Sequence, residues 1–266
     1  MTVGKKRFSF GQVLLNVFFL LIVLTVAVPV INLAARSFAS AKGALQMHGF
    51  SLWPSDPTLL NYQVVFSNRL ILPSLWNNIV ITVLGTAVNL LITLMAAYAV
   101  TRPRLVGKKF FMGFFIVMML FNPGLMPEYL VVKQLKLIDS MGSVILVGAV
   151  NVYYLFILRR FIEEVPESLI EAARIDGASG WEIFWKLTIV QLKPMALINA
   201  IFTIVQLTGF TDNDVNTYIS SQMFEKTGKI YSYSSALAWS NFLVVLLMIG
   251  LAFLVFRSKR EKVAKA

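Results

Sequence analysis

Pro166-Glu167-Ser168-Leu169-Ile170-Glu171-Ala172-Ala173-Arg174-Ile175-Asp176-Gly177-Ala178-Ser179-Gly180-Trp181-Glu182 is the polar interruption on which the reading of this chain turns, because long apolar runs stand on both sides of it. It holds two overlapping helix-start signals. Ser168 with Glu171, and Ser179 with Glu182, each fit S-x-x-E, in which a hydroxyl and a carboxylate satisfy orphan amide donors of a first turn. Asp176-Gly177 is the expected stop between them, since glycine enters the left-handed conformation that ends a helix without a Cβ clash. The spacing therefore predicts two short helices with a turn at Gly177. Glu171, Arg174 and Asp176 with the small Ala172, Ala173, Gly177 and Ala178 make a surface that another protein can approach closely. Trp181, Phe184, Trp185 and Leu187 are expected to pack back toward the membrane helices. The caps alone are equally compatible with a solvated amphipathic loop between two spans.

Outward from that loop, 58% of residues are hydrophobic and only 14% charged, so the solvent is a bilayer rather than water. Windows of membrane length place spans near 11–35, 75–100, 110–127, 141–158, 196–214 and 234–256. Asn122, Pro123 and Gly124 interrupt the third, and the polar end of the fifth makes it uncertain too; such breaks need protein or water around them. Lys5, Lys6 and Arg7 ahead of an apolar run resemble a secretory signal, but the run from about Val13 to Ala35 is longer than a signal core and reads as an uncleaved first span. The formal charge of +11 does not point to nucleic acid, because Lys and Arg fall between apolar runs instead of on one face. The absence of cysteine removes disulfides and thiolate metal sites.

Six spans put both termini on one side, and basic residues say which. The N-terminus, the 101–109 loop, the 159–195 loop and the tail after Phe256 hold 17 Lys and Arg, against 7 in the other three loops. The positive-inside rule then places both termini and the 159–195 loop in the cytoplasm. The external connections, 36–74 with its Trp53-Pro54-Ser55-Asp56-Pro57 turn, 128–140 and 215–233, are too small for a domain. The expectation is an all-α integral membrane protein, residues 1–266 forming one transmembrane domain.

Glu171-Ala172-Ala173, three residues, then Gly177, with a hydrophobic tail ending at Pro194, resembles the EAA motif of ABC-importer permeases, and EAARIDGAS is most like the carbohydrate-importer (maltose-importer-like) branch. Phe50 to Pro54, Pro57 to Tyr62, Trp76-Asn77-Asn78, Ala96 to Ala99 and Gly124 to Pro127 also look like sugar permeases, in particular those for complex or uronate-containing saccharides. The resemblance implies a six-transmembrane-helix type I permease with a cytoplasmic coupling helix. Glu171, Ala172, Ala173, Arg174, Asp176, Gly177 and Ala178 would form the contact with the ATPase. It further implies a second permease subunit as heterodimer partner, two cytoplasmic ABC ATPases that carry the ATP and Mg, an external solute-binding protein, an oligosaccharide substrate and alternating access in a bacterial cytoplasmic (inner) membrane. One departure stands out: the family closes the motif with Ile-x-Leu-Pro, and the matching positions are Leu187, Ile189 and Val190, so the first proline is missing while Pro194 is kept. Which half of the heterodimer this is stays open.

Polar side chains within the spans are candidates for the substrate path: Asn78, Asn89, Asn122, Asn151, Tyr153, Tyr154, Asn199 and Gln206, with amides and phenol rings suited to a sugar. Helix-to-helix hydrogen bonding explains each of them as well. His48 has no partner set for a metal site or a catalytic dyad. Asp212 and Asp214 fit a solvated pair or a cation, and the Arg257–Lys262 tail fits a topology anchor or anionic lipid. No Walker A spacing occurs, so the chain itself is expected to be no enzyme and to bind no cofactor. The rivals are a permease of the same machine for a polyamine or phosphate, a membrane scaffold, and a secondary transporter, which predicts intramembrane carboxylates for which no acidic residue is placed.

Overall fold

The structure is a computed structural model that describes residues 10–103, 105–121, 123–209, 214–222 and 231–256. In chain order the helices are α1 (Phe10–Ser37), α2 (Ala41–Gln46), α3 (Leu60–Ser67), α4 (Ile71–Thr101), α5 (Lys108–Leu120), α6 (Leu125–Gln134), α7 (Met141–Val147), α8 (Val152–Glu163), α9 (Glu167–Ile175), α10 (Gly180–Glu182), a π turn (Ile183–Thr188), α11 (Ile189–Thr208), α12 (Asp214–Ser220) and α13 (Tyr231–Phe256). Among the described residues four helices are long and apolar enough to cross a bilayer, Gly11–Ser37, Ile71–Thr101, Gly180–Thr208 and Ser232–Phe256. A fifth span results if α7 and α8, bent by 51° at their junction, are taken as one.

The first, second and last expected spans lie within α1, α4 and α13. The expected span at 110–127 is not one continuous helix: α5 has 13 residues and stops at Leu120, a rise of about 20 Å against the roughly 30 Å of hydrocarbon. Pro123 lacks an amide donor and disfavours helix in the residue before it. Gly124 then takes φ 80° and ψ 175°, a conformation that only glycine adopts readily, before α6 begins. The expected span at 196–214 is also shifted. Its helix begins at Gly180 and ends at Thr208, so much of the predicted 159–195 loop is helical and only residues 164–179 lie between the long elements.

The chain divides into two compact units. One consists of the described residues up to Ser74 with 214–243. Here the segment after α1, expected to be a simple connection, is folded onto the helix end by amide and guanidinium groups. Asn32 Nδ2 donates to the carbonyls of His48 (2.9 Å) and Ser51 (2.7 Å), and Arg36 donates to those of Ala44 (3.3 Å) and Met47 (2.7 Å). Asn61, buried, donates to the carbonyls of Ser37 (2.9 Å) and Ala39 (2.8 Å), beside the isolated bridge of Ala39 with Pro57. Ser40 caps α2 by accepting from Gly43 N–H at 3.0 Å, and a Cβ on Gly43 would run into the Ser55 carbonyl.

The other unit holds the described residues of 75–209 and 244–256. Its core joins α4, α8 and α11 through Ala97, Val100, Leu155, Leu158, Ile162 and Leu192. Gly85 admits Leu207 so closely that a Cβ there would stand 2.6 Å from Leu207 Cδ1. The apolar surface of α1, by contrast, is exposed along its whole membrane-length window.

Asn61→Ala is expected to leave two buried carbonyls unpaired at a cost of about 1–3 kcal/mol. The check is limited proteolysis in detergent: cleavage within 38–58 should accelerate while total helicity is unchanged.

Candidate docking loop and intramembrane polar node

Between α8 and α10 the backbone explains why α9 projects as a defined element. Pro166 is the N-cap, and the chain turns helical directly after it, so Ser168 falls inside the first turn. The expected Ser168–Glu171 capping box is therefore not formed, and no side chain caps α9. The stop is as the sequence predicts. Gly177 adopts φ 84°, its N–H donates to the Arg174 carbonyl (3.0 Å), and Ala178 N–H donates to that of Ala173 (2.9 Å). This pair of bonds is the Schellman arrangement, which satisfies carbonyls that the helix end leaves over.

Two residues later the second box is present. Glu182 N–H donates to Ser179 Oγ (3.3 Å) and Ser179 N–H donates to Glu182 Oε2 (3.1 Å). Lys186 Nζ, one turn on, meets Glu182 Oε1 at 2.8 Å. What starts there is not a second short helix but the head of the 29-residue helix to Thr208. It contains a π turn in which Ile189 N–H donates to the Phe184 carbonyl, five residues back. Val190, where the motif has proline, keeps its amide and lies within the unbroken helix, and Pro194 is accommodated four residues on.

The charged face of α9 is free of internal ties. None of its residues is buried, and Glu171, Arg174 and Asp176 make no side-chain hydrogen bond or ion pair among the described residues. Ala172 and Gly177 are exposed, Ala173 and Ala178 half-buried. Ile175 at the end of the helix is 86% exposed. Beyond the turn the expectation divides. Ile183 and Phe184 are buried and Leu187 half-buried, but Trp181 and Trp185 are exposed. The reason is periodicity: in this wider turn Ile183, Phe184 and Thr188 take the inner face, which leaves the two indoles outside.

The intramembrane candidates do not form one cluster. Asn89 and Asn199, both buried, meet at 3.3 Å (Asn199 Nδ2 to Asn89 Oδ1), and Asn89 Nδ2 donates to the Gly148 carbonyl at 2.8 Å. One amide thus ties α4 and α11 to the break between α7 and α8. Asn78 is buried and accepts from Thr82 Oγ1 (3.4 Å), and Asn151 caps α8 by accepting from Tyr154 N–H (3.2 Å). Tyr154 is buried with its ring against Tyr153 and Phe202 at 5.4 and 5.2 Å, while Gln206 is exposed. Asn122, Asp212 and the basic residues at both termini lie outside the described residues, and His48 is exposed with only its backbone engaged.

Among the buried polar residues absent from the candidates are Asn32 of α1, Ser234, Ser235 and Ser240 of α13, and a set of threonines. Thr82, Thr86 and Thr93 join Asn78 and Asn89 in a buried stripe along α4, at spacings of four, four, three and four. Thr203 Oγ1 adds a contact to Asn89 Oδ1 at 3.4 Å. That helical spacing was the available signal; hydroxyls alone, which bond within their own helix, did not draw attention.

No protein-family model matches the chain. Among curated proteins it is similar to a polygalacturonan/rhamnogalacturonan transport system permease protein of Bacillus subtilis (strain 168), with 33% identity over 208 residues, 78% of this chain and 70% of that protein. Protein LplC of the same organism is 37% identical over 174 residues, and the matched region spans 59% of its length and 65% of this chain. Among solved structures, a chain of a bacterial ABC transporter involved in the import of the acidic polysaccharide alginate has the same fold, with a TM-score of 0.78 and 24% identity, covering 93% of this chain and 98% of that one.

Two variants follow from this geometry. No atom would crowd a Cβ at Gly177, so the cost of Gly177→Val is purely the left-handed backbone, about 1–2 kcal/mol, while Gly177→Asn should cost less. Deuterium exchange of α9 amides should rise for valine and stay near wild type for asparagine. Asn89→Leu, which orphans the Gly148 carbonyl, should lower thermal stability in detergent by about 1 kcal/mol.

Proposed function

The chain belongs to the permeases of the sugar and oligosaccharide ABC transport systems, and from that membership we propose that it lines one half of the membrane path of an importer driven by two cytoplasmic ATPases. The observation that carries the reading is the α9 segment: a nine-residue helix with no buried residue and with charged side chains that find no partner among the described residues. Residues 168–178 are its ATPase contact and coupling helix, with Glu171, Arg174 and Asp176 as polar contacts and Ala172, Ala173, Gly177 and Ala178 permitting close approach. Residues 181–187 tie that contact to the membrane helices.

In this reading the chain makes six membrane crossings as a single permease domain, with α5 and α6 as parts of a broken third one. Both termini and α9 lie in the cytoplasm of a bacterium, supported by the 17 to 7 excess of basic residues. ATP and Mg bind the partner ATPases, since this chain has no phosphate loop of Walker A spacing. Closure of the ATPases moves α9, and the path opens outward toward a solute-binding protein. A docked binding protein promotes turnover only by favouring the outward state over the inward one. A second permease covers apolar surface such as that of α1.

The substrate class is a uronate-bearing oligosaccharide, supported by the likenesses to a polygalacturonan/rhamnogalacturonan permease and to an importer of the acidic polysaccharide alginate. Asn78, Asn89, Asn122, Asn151, Tyr154, Asn199 and Gln206 remain the candidates of this chain for the path, with Asn89 and Asn199 also serving as the structural tie between helices.

The test is to purify the chain with its genomic neighbours in lipid nanodiscs. Two ATPases are expected to co-purify, and oligogalacturonides with the binding protein should raise ATP hydrolysis more than neutral galacto-oligosaccharides, phosphate or spermidine do. Stimulation by phosphate or spermidine alone would overturn the sugar assignment, and a complex without ATPases would overturn the coupling role.

A further inference from the structure

Phe184 opens a path of contacts that leaves the loop. Its ring meets Trp181 at 6.2 Å and Trp185 at 5.3 Å, and the two indoles meet each other at 5.5 Å, edge to face. On the membrane side Phe184 packs edge to face on Tyr98, with ring centroids 4.7 Å apart. Tyr98 stands near the end of α4 and packs against the core of Ala97, Val100, Leu155, Leu158, Ile162 and Leu192. Its ring also carries the guanidinium of Arg102, whose central carbon lies 3.8 Å from the ring centroid. Arg102 Nε is buried and has no hydrogen-bond partner among the described residues, so the tyrosine ring is the group seen to place this cation.

The backbone under Phe184 is as particular as its side chain. Its carbonyl is the acceptor of the π bond from Ile189, and Thr188 Oγ1 bonds the Ile183 carbonyl, also five residues back, at 3.5 Å. A π turn holds one more residue than an α turn in the same rise, and such turns inside α-helices recur at functional sites. Movement of the head of the helix is then compatible with a stationary α11, because the surplus residue shifts within the turn. Closely packed rings do not compress, so displacement of Phe184 must displace Tyr98.

We propose that Phe184, Tyr98 and Arg102 are positioning residues that carry movement of the docking loop into the cytoplasmic end of α4, with the π turn at 183–188 separating that movement from α11. The proposal rests on the docking reading above and adds the route by which docking reaches a membrane helix. Tyr98→Phe preserves the ring that both Phe184 and Arg102 use. Tyr98→Leu preserves apolar bulk but removes that ring, and Phe184→Leu breaks the same contact from the other side.

The experiment is deuterium exchange on the complete importer, compared between the nucleotide-free state and the state trapped with ATP, Mg and vanadate, which needs no knowledge of the solute. In the wild type and in Tyr98→Phe, peptides covering 166–188 and 94–102 should both change their uptake on trapping by about twofold or more. In Tyr98→Leu and in Phe184→Leu the loop peptide should still respond and the 94–102 peptide should not. Equal response of 94–102 in any leucine variant that assembles overturns the proposal, as does a wild type in which only the loop responds. Loss of the ATPases from both leucine variants also overturns it, since the ring contact would then serve docking itself. A wild-type loop that does not respond at all overturns the docking reading and the route with it.

Discussion

A peptide group inside hydrocarbon has no water to bond, and the places where this chain departs from α-helix show how that demand is met. The α7–α8 break frees the Gly148 carbonyl, and the side-chain amide of Asn89 donates to it at 2.8 Å. The first turn of α8 after that break is capped by Asn151. At 183–188 the ladder is not broken but rewound, with bonds reaching five residues back. Asn89 and Asn151 thus serve the backbone where the helices break, whereas the hydroxyls of Thr86 and Thr93, buried on α4, have no hydrogen-bond partner among the described residues.

This explains which parts were legible in advance. Long apolar runs announced α1, α4 and α13 because a continuous helix satisfies its own backbone and needs only length. The third and fifth expected spans differ from the helices observed there for opposite reasons. Pro123 and Gly124 end α5 early, whereas the charged start of the fifth helix, with Glu182, Lys186 and Lys193, hides a helix that begins well before its apolar stretch. Gly177 and the Ser179–Glu182 box were readable because they depend on local geometry alone. Ser168 looked like a cap by the same rule and was pre-empted by Pro166, which starts the helix sooner. The exposure of Trp181 and Trp185 was hidden because a π turn changes the residues per turn on which any facial assignment rests.

The candidate site was legible as a motif more than as a mechanism. Glu171-Ala172-Ala173 and Gly177 carried the resemblance to the sugar permeases, the family to which the chain belongs; their part in docking is the proposal made above. The stripe of Asn78, Thr82, Thr86, Asn89 and Thr93 on α4 is of another kind, since only its spacing distinguishes it from the scattered hydroxyls of any membrane helix. Asparagines stood out because an amide in hydrocarbon demands a partner from outside its own helix. Threonines did not, because theirs is usually one turn away.

The connection between α9 and the helix that follows is short and fixed at both ends, by the Schellman bonds at Gly177 and Ala178 and by the reciprocal bonds of Ser179 and Glu182. In mechanical terms such a joint has almost no backlash. A glycine-rich tether of the same span would take up a small stroke as slack before passing any of it on. Here the few residues between the two helices already have their dihedral angles assigned, which leaves little slack between α9 and the head of the next helix.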